Sequence, residues 1–140
     1  MNTEKETQFK TKIVSDLHEK AYRDYANAAF DESRIPEVEK LITAAEGRLH
    51  GFEEEHSQLT ADPEAHKREK RTRIKELEGK IEEEHEYIRN VRKSIEMIQK
   101  SIHDQRTKAS AAMLRASWIE ENYTFQAVDP ESQVKEAATA

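Results

Sequence analysis

A heptad repeat in the second half of the chain constrains the fold more than any other feature. Its positions follow one another at alternating spacings of three and four residues in a single phase, and all but two are apolar or aromatic: Ile74, Leu77, Ile81, Glu84, Ile88, Val91, Ile95, Ile98, Ile102, Gln105, Ala109, Ala112, Ala116, Ile119 and Tyr123. This spacing places one apolar stripe along a helix and is typical of a coiled coil. We call this stripe the seam.

The start of that helix carries its own signals. Asp62 is a good N-cap residue, Pro63 suits the first helical position, and Glu64 favours the positive end of the helix dipole. The sequence therefore predicts one helix from about residue 63 to residue 124.

A second seam precedes the first and also keeps one heptad phase: Ile35, Val38, Ile42, Ala45, Leu49, Phe52, His56 and Leu59. The connection between the seams is short, which favours antiparallel neighbours. A fold-back at the connection would place Leu49 opposite Ile74 and Ile42 opposite Ile81. In that register Lys40 is the expected partner of the seam residue Glu84.

Residues 5–30 form a further amphipathic stretch, which the segment FDESRIPE follows. Pro36 lacks an amide donor and restricts Ile35, so a kink or turn is expected there. Either the first helix folds back to make a three-helix bundle, or it continues in line beside the long helix. The heptad pairing favours the second arrangement.

The predicted fold class is all-α: a long antiparallel helical hairpin, or coiled coil, with one arm broken between Asp31 and Pro36. The alternative is a three-helix bundle with an extended third helix. Residues 1–125 would form a single elongated domain with helices over about 5–30, 36–60 and 63–124. Residues 126–140 have little to pack and are predicted to be a flexible tail.

Composition excludes several classes of function. Charged residues make up 37% of the chain and apolar residues 35%, there is no cysteine, and the net charge is −6. We expect no disulfide, membrane span or secretory signal, and wholesale phosphate binding is disfavoured. The chain also lacks a glycine-rich phosphate loop and a nucleophile motif. No catalytic residue, cofactor or small-molecule substrate is expected, and the expected location is the cytoplasm or a complex assembled there, including a viral one.

The tetrapeptide EEEH occurs twice, ending at His56 and at His85. Its Glu-x-x-His spacing is used by di-metal sites in helical bundles. The heptad phase assigns His56 and Glu84 to the seam and leaves His85 beside it, and the predicted register separates the two copies along the hairpin. We therefore expect no metal site, and helical metal binding is the third-ranked hypothesis.

A basic cluster follows the predicted turn: Lys67, Arg68, Lys70, Arg71 and Arg73. We call it the basic tip. Such a cluster could contact nucleic acid, but no aromatic residue interleaves it for base stacking. The acidic run from Glu53 to Glu55 would lie beside it in the hairpin, so pairing between the two is the favoured interpretation.

Four apolar residues lie off the seam near the end of the hairpin away from the turn: Phe9, Ile13, Leu114 and Trp118. This patch predicts a contact with a protein partner or another copy of the chain, with completion of the hairpin's own core as the alternative. The seam polar residues Glu84 and Gln105 are predicted to set the register of the helices.

The sequence thus favours a non-enzymatic interaction or assembly protein that oligomerises or docks onto a larger protein complex as a scaffold, tether or cap. A nucleic-acid-associated regulator that uses the basic tip is the alternative.

Overall fold

A computed structural model describes residues 3–122 as two α-helices, and this confirms the all-α helical hairpin. Helix α1 spans Thr3–Ala61 and helix α2 spans Arg68–Asn122, and no strand occurs within residues 3–122. Residues that meet across the pair are numbered upward along α1 and downward along α2, as in an antiparallel pair: Lys10 meets Glu120, Tyr25 meets Ser110 and Arg48 meets Glu84. The predicted tail, 126–140, lies outside the described residues. No described helix is apolar over a stretch long enough to cross a membrane.

The two predicted seams, together with the amphipathic stretch that precedes them, form the interior of the helix pair. All the buried hydrophobic residues occupy spacings that keep one face of each helix inward: Val14, Ala21, Ala28, Ala45, Leu77, Ile88, Val91, Ile102, Ala109, Ala112 and Ala116. Leu77 is the largest of the described side chains that are completely buried, and the others of that class are alanines. The interior is therefore narrow, and its burial is spread over many small contacts.

The predicted break between Asp31 and Pro36 is wrong, and so is the three-helix alternative, because α1 continues through Pro36 without interruption. Proline removes the hydrogen bond to the carbonyl of Glu32, at a cost of up to about 3 kcal/mol in a helix interior. Pro36 is exposed, so water reaches this part of the backbone. The seam residues Ile35 and Val38, on either side of the proline, are half-buried.

Helix α2 begins later than predicted. Residues 62–67 form a turn in which the backbone amides of Ala65 and Lys67 donate to the carbonyls of Asp62 and Glu64, each at 3.0 Å. The Asp62 carboxylate accepts the amide of Glu64 at 2.9 Å, so it caps this turn and not the helix. The first bond of α2 runs from the amide of Arg71 to the carbonyl of Lys67 at 2.9 Å.

The longer turn changes the pairing of the helices. Glu84 pairs with Arg48, eight positions along α1 from the expected Lys40. The register is displaced by about ten residues, a heptad plus three, and such a slip returns seam residues to the seam. The heptad pattern alone therefore does not distinguish the predicted register from the one in the structure, because both place seam residues opposite seam residues.

The chain divides into two compact units, each containing a part of both helices. Unit 1 comprises Met1–Ala26 and Gln105–Ala140, and unit 2 comprises Asn27–Asp104. In unit 1 a buried cluster of Ala21, Ala109 and Ala112 is packed by the partly buried Leu17 and Met113. Unit 2 contains Leu77 and the larger aliphatic residues of the α2 seam.

Candidate interaction surface

An open groove of about 520 Å³ lies between the two helices of unit 1. Two partly buried residues border it, Leu17 of the alanine cluster and the seam residue Ile119, and Ile13 and Trp118 flank them. The remaining lining residues carry charge: Asp16, Lys20 and Arg115. The groove is thus an apolar trough with charged sides.

The groove follows from the small residues of the local seam. Ala109, Ala112 and Ala116 are at most 5% exposed, and their short side chains fill little of the space beside the helices. The larger side chains that flank the seam are not drawn inward. Trp118 consequently keeps 58% of its surface exposed, and aromatic residues of this kind often anchor protein interfaces.

The charged side chains of the groove have no partners within the described part of the chain. Asp16, Lys20 and Arg115 are exposed, and none of them forms an ion pair with another residue of 3–122. Asp16 and Lys20 are one helical turn apart on α1, and Arg115 faces them from α2. The groove therefore presents charges of both signs to any molecule that covers it.

The structure brings together only part of the predicted apolar patch. Ile13 and Trp118 line the groove, whereas Phe9 and Leu114 are outside its lining and are 52% and 72% exposed. Leu114 follows the buried Ala109 by five residues, at the heptad position opposite the seam.

The sequence prediction did not include the charged lining residues. Their spacing was the available signal, because Asp16 follows Ile13 by three residues and Arg115 precedes Trp118 by three. On a helix this spacing places each pair on one face.

Glu84, the first of the two predicted register-setting residues, makes a bidentate ion pair in unit 2. Arg48 Nε donates to Oε1 at 2.8 Å and Nη2 donates to Oε2 at 3.1 Å. The guanidinium also lies over the ring of Tyr87, 5.8 Å from its centre. The hydrogen bonds from Arg48 lower the pKa of Glu84 from its usual value, although partial burial of the carboxylate opposes this shift.

Polar residues on the seam of unit 1 include Gln105, the second predicted register-setting residue, which is half-buried. Sequence reasoning overlooked Asp24, three positions after the buried Ala21, whose Oδ2 is buried without a hydrogen-bond partner. A buried oxygen of this kind costs stability. The role of Glu84 and Gln105 in setting the register stays a prediction.

The two lysines of the basic tip pair with acids of the turn. Lys70 Nζ lies 2.5 Å from Asp62 and 3.8 Å from Glu64, and Lys67 Nζ lies 3.1 Å from Glu64. The hydrogen bond from Lys70 lowers the pKa of Asp62 and raises the pKa of the lysine itself. Arg68 and Arg71 form no ion pair with the described residues.

The expected pairing of the tip with the acidic run of α1 is correct only at one residue. Arg73 donates to both oxygens of Glu55, at 2.9 and 3.0 Å, and lowers the pKa of that carboxyl. Glu53 instead lies 3.7 Å from His85, and Glu54 lies 3.9 Å from His50. The register displacement is the reason, because it moves Glu53 away from the tip.

The same displacement brings the two EEEH copies into contact, contrary to the prediction that they are well separated. Glu53 of the first copy meets His85 of the second, and His56 lies 3.2 Å from Glu78. Each of these contacts joins only two side chains, and Glu78 lies outside the second EEEH copy. Within residues 3–122 no three His, Asp or Glu side chains converge closely enough to hold a metal ion.

Comparisons of the chain with protein-family models, with curated protein sequences and with solved structures give no match.

Proposed function

We propose that this chain is a non-enzymatic assembly protein that binds another protein through the groove of unit 1. The observation that carries the proposal is Trp118, which is 58% exposed and stands at the side of an apolar trough. Covering a large aromatic side chain with a complementary surface yields more binding free energy than covering most other residues.

The shape of the groove supports a protein partner over a small molecule. Small-molecule sites enclose most of their ligand, whereas this trough is open along the helices. A helix of a partner can lay its apolar side chains into such a trough and add ion pairs at its sides. Asp16, Lys20 and Arg115 supply charges for those pairs.

A photo-crosslinking experiment tests the proposal in cells that express the full chain. A photoreactive phenylalanine analogue replaces Trp118 in one variant and Leu114 in the matched control, since both positions are exposed on α2. We expect a protein adduct of defined mass from position 118 and none from position 114.

Two results would contradict the proposal: no adduct from either position, or equal adducts from both. The identity of the crosslinked chain, read by mass spectrometry, separates a second copy of this protein from a different protein. A helical circular dichroism spectrum matching that of the wild type confirms that each variant is folded.

A further inference from the structure

We infer that the occupant of the groove is a second copy of this chain, related to the first by a two-fold axis parallel to the helices. This inference rests on the proposed function and names its partner. In such a dimer, α1 of one copy would lie against α2 of the other along unit 1, so that four helices pack around the groove.

The contacts inside unit 1 define which residues lie at the same level. Lys10 Nζ donates to the carbonyl of Glu120 at 3.0 Å, and the hydroxyl of Tyr25 lies 3.4 Å from that of Ser110. Both contacts join the two antiparallel helices at opposite ends of the groove.

Between those contacts, Ile13 on α1 is about level with Trp118 on α2, and Asp16 is about level with Arg115. All four residues line the groove. Each level thus pairs a residue of α1 with a complementary residue of α2.

A two-fold axis parallel to the helices keeps each level unchanged and exchanges α1 with α2. The Ile13 side chain of one copy then meets the Trp118 ring of the other, and Asp16 meets Arg115. Each contact occurs twice, because a two-fold interface uses the same surface on both copies. The groove is therefore complementary to itself in both apolar shape and charge.

Charge complementarity favours this occupant. Asp16 and Arg115 have no ion-pair partner among the described residues of their own chain. Lys20 is about level with Ala111, one helical turn from the level of Asp16 and Arg115. A second copy thus supplies the missing partner of Asp16 and of Arg115 at the same time.

Reversal of single charges tests the geometry, with the mass of the full-length chain measured by sedimentation equilibrium from nanomolar to submillimolar concentration. The wild type is expected to dimerise. In Asp16→Arg, two arginines would face each other twice, and in Arg115→Asp, two aspartates would do so. We expect the dimerisation affinity of each variant to be lower than that of the wild type by about tenfold or more.

Mixing the two variants is the decisive measurement. In the mixed dimer, Arg at position 16 of one copy faces Asp at position 115 of the other, and the second contact is the wild-type pair. We expect the mixture to recover dimerisation to near the wild-type level. Recovery by mixing cannot come from a contact within one chain, since each chain keeps its own like charges.

Trp118 provides an independent readout, because it is the only tryptophan of the chain. Its emission should shift to shorter wavelength, and its quenching by acrylamide should fall, as the dimer forms. The control is Lys93→Glu, at an exposed position of unit 2. It should leave both the dimerisation affinity and the Trp118 fluorescence unchanged.

Three outcomes would overturn the inference: a wild type that is monomeric at every concentration, a dimer that ignores both reversals, or a mixture no better than its components. Protection of Trp118 in chains of monomer mass would also overturn it, because the groove would then be covered without a second copy. A monomeric chain whose position 118 crosslinks to a different protein would refute the second copy while supporting the proposed function.

Discussion

Arg48 holds Glu84 with both arms of its guanidinium, at 2.8 and 3.1 Å, although Glu84 occupies a seam position where an apolar residue would be expected. The carboxylate side chain is only 16% exposed, whereas that of Arg48 is 48% exposed. The arginine reaches in from beside the seam and satisfies the carboxylate, and Tyr87 covers the guanidinium. One polar residue on the seam is thereby tied to one partner on the opposite helix.

The pair predicts a loss of stability in acid. Arg48 lowers the folded-state pKa of Glu84 below the unfolded value of 4.5, so the stabilisation is complete above that pH. It is lost as the pH falls through the folded-state pKa. The pKa of Glu55 is lowered in the same way, so this group acts in the same window, whereas the pKa of Asp62 is lowered from 3.8, so its contribution is lost only below that pH. Thermal melts recorded from pH 7 to pH 2 should show a melting temperature that decreases as the pH is lowered below 4.5.

In Glu84→Gln the melting temperature should decrease less steeply as the pH is lowered below 4.5, since one of the titrating groups is removed. A melt of the wild type in molar salt should also show a smaller dependence on pH, because exposed ion pairs are screened. A variant whose pH profile equals that of the wild type would contradict a stabilising role for the pair.

Replacing the seam carboxylate by leucine should raise stability and reduce the specificity of pairing. In Glu84→Leu the apolar stripe becomes continuous at this position, and Arg48 remains at the surface over Tyr87. We expect the melting midpoint to rise by a few degrees, since apolar replacements of partly buried ion pairs are often stabilising.

The loss of specificity is measured with spin labels at Lys40 and Arg89, one on each helix of unit 2. Their distance distribution should be narrow in the wild type and broader in Glu84→Leu, because polar seam residues select one register. Equal widths would mean that Glu84 does not set the register.

Leu77 should be the most sensitive large side chain of the interior. It is completely buried, so Leu77→Ala removes apolar contacts and leaves a cavity, and we expect a loss of about 2–4 kcal/mol in the free energy of unfolding. Leu41→Ala is the matched control, because Leu41 is 47% exposed and its truncation should cost less than about 1 kcal/mol. Urea denaturation of both variants measures the difference, and equal losses would disagree with the described packing.

Pro36 predicts a stabilising substitution. It stands inside α1 and is exposed, so Pro36→Ala restores the hydrogen bond to Glu32 without altering the seam. We expect the free energy of unfolding to rise by about 1–3 kcal/mol. Pro63→Ala is the control, since Pro63 lies in the turn and its replacement restores no helical bond. A decrease for Pro36→Ala would show that the proline is required where it stands.

Several expectations about the fold were obtained from local pattern alone. The alternation of three and four residues is a property of one helix, so it identified the buried stripe of α2 before any partner was known. The break at Pro36 was wrong because a local rule was applied at an exposed position of a helix that is supported along its length by α2.

The amino-acid sequence by itself determined the helical class, the two seams and their antiparallel pairing, because heptad spacing and a short connection are readable along the chain. Only the tertiary structure decided which residues meet across the pair. A heptad repeat resembles itself after a slip, so the choice of register depends on the length of the 62–67 turn and on contacts such as that of Arg48 with Glu84. The groove beside Trp118 depends on that choice, since register alone brings Asp16 level with Arg115.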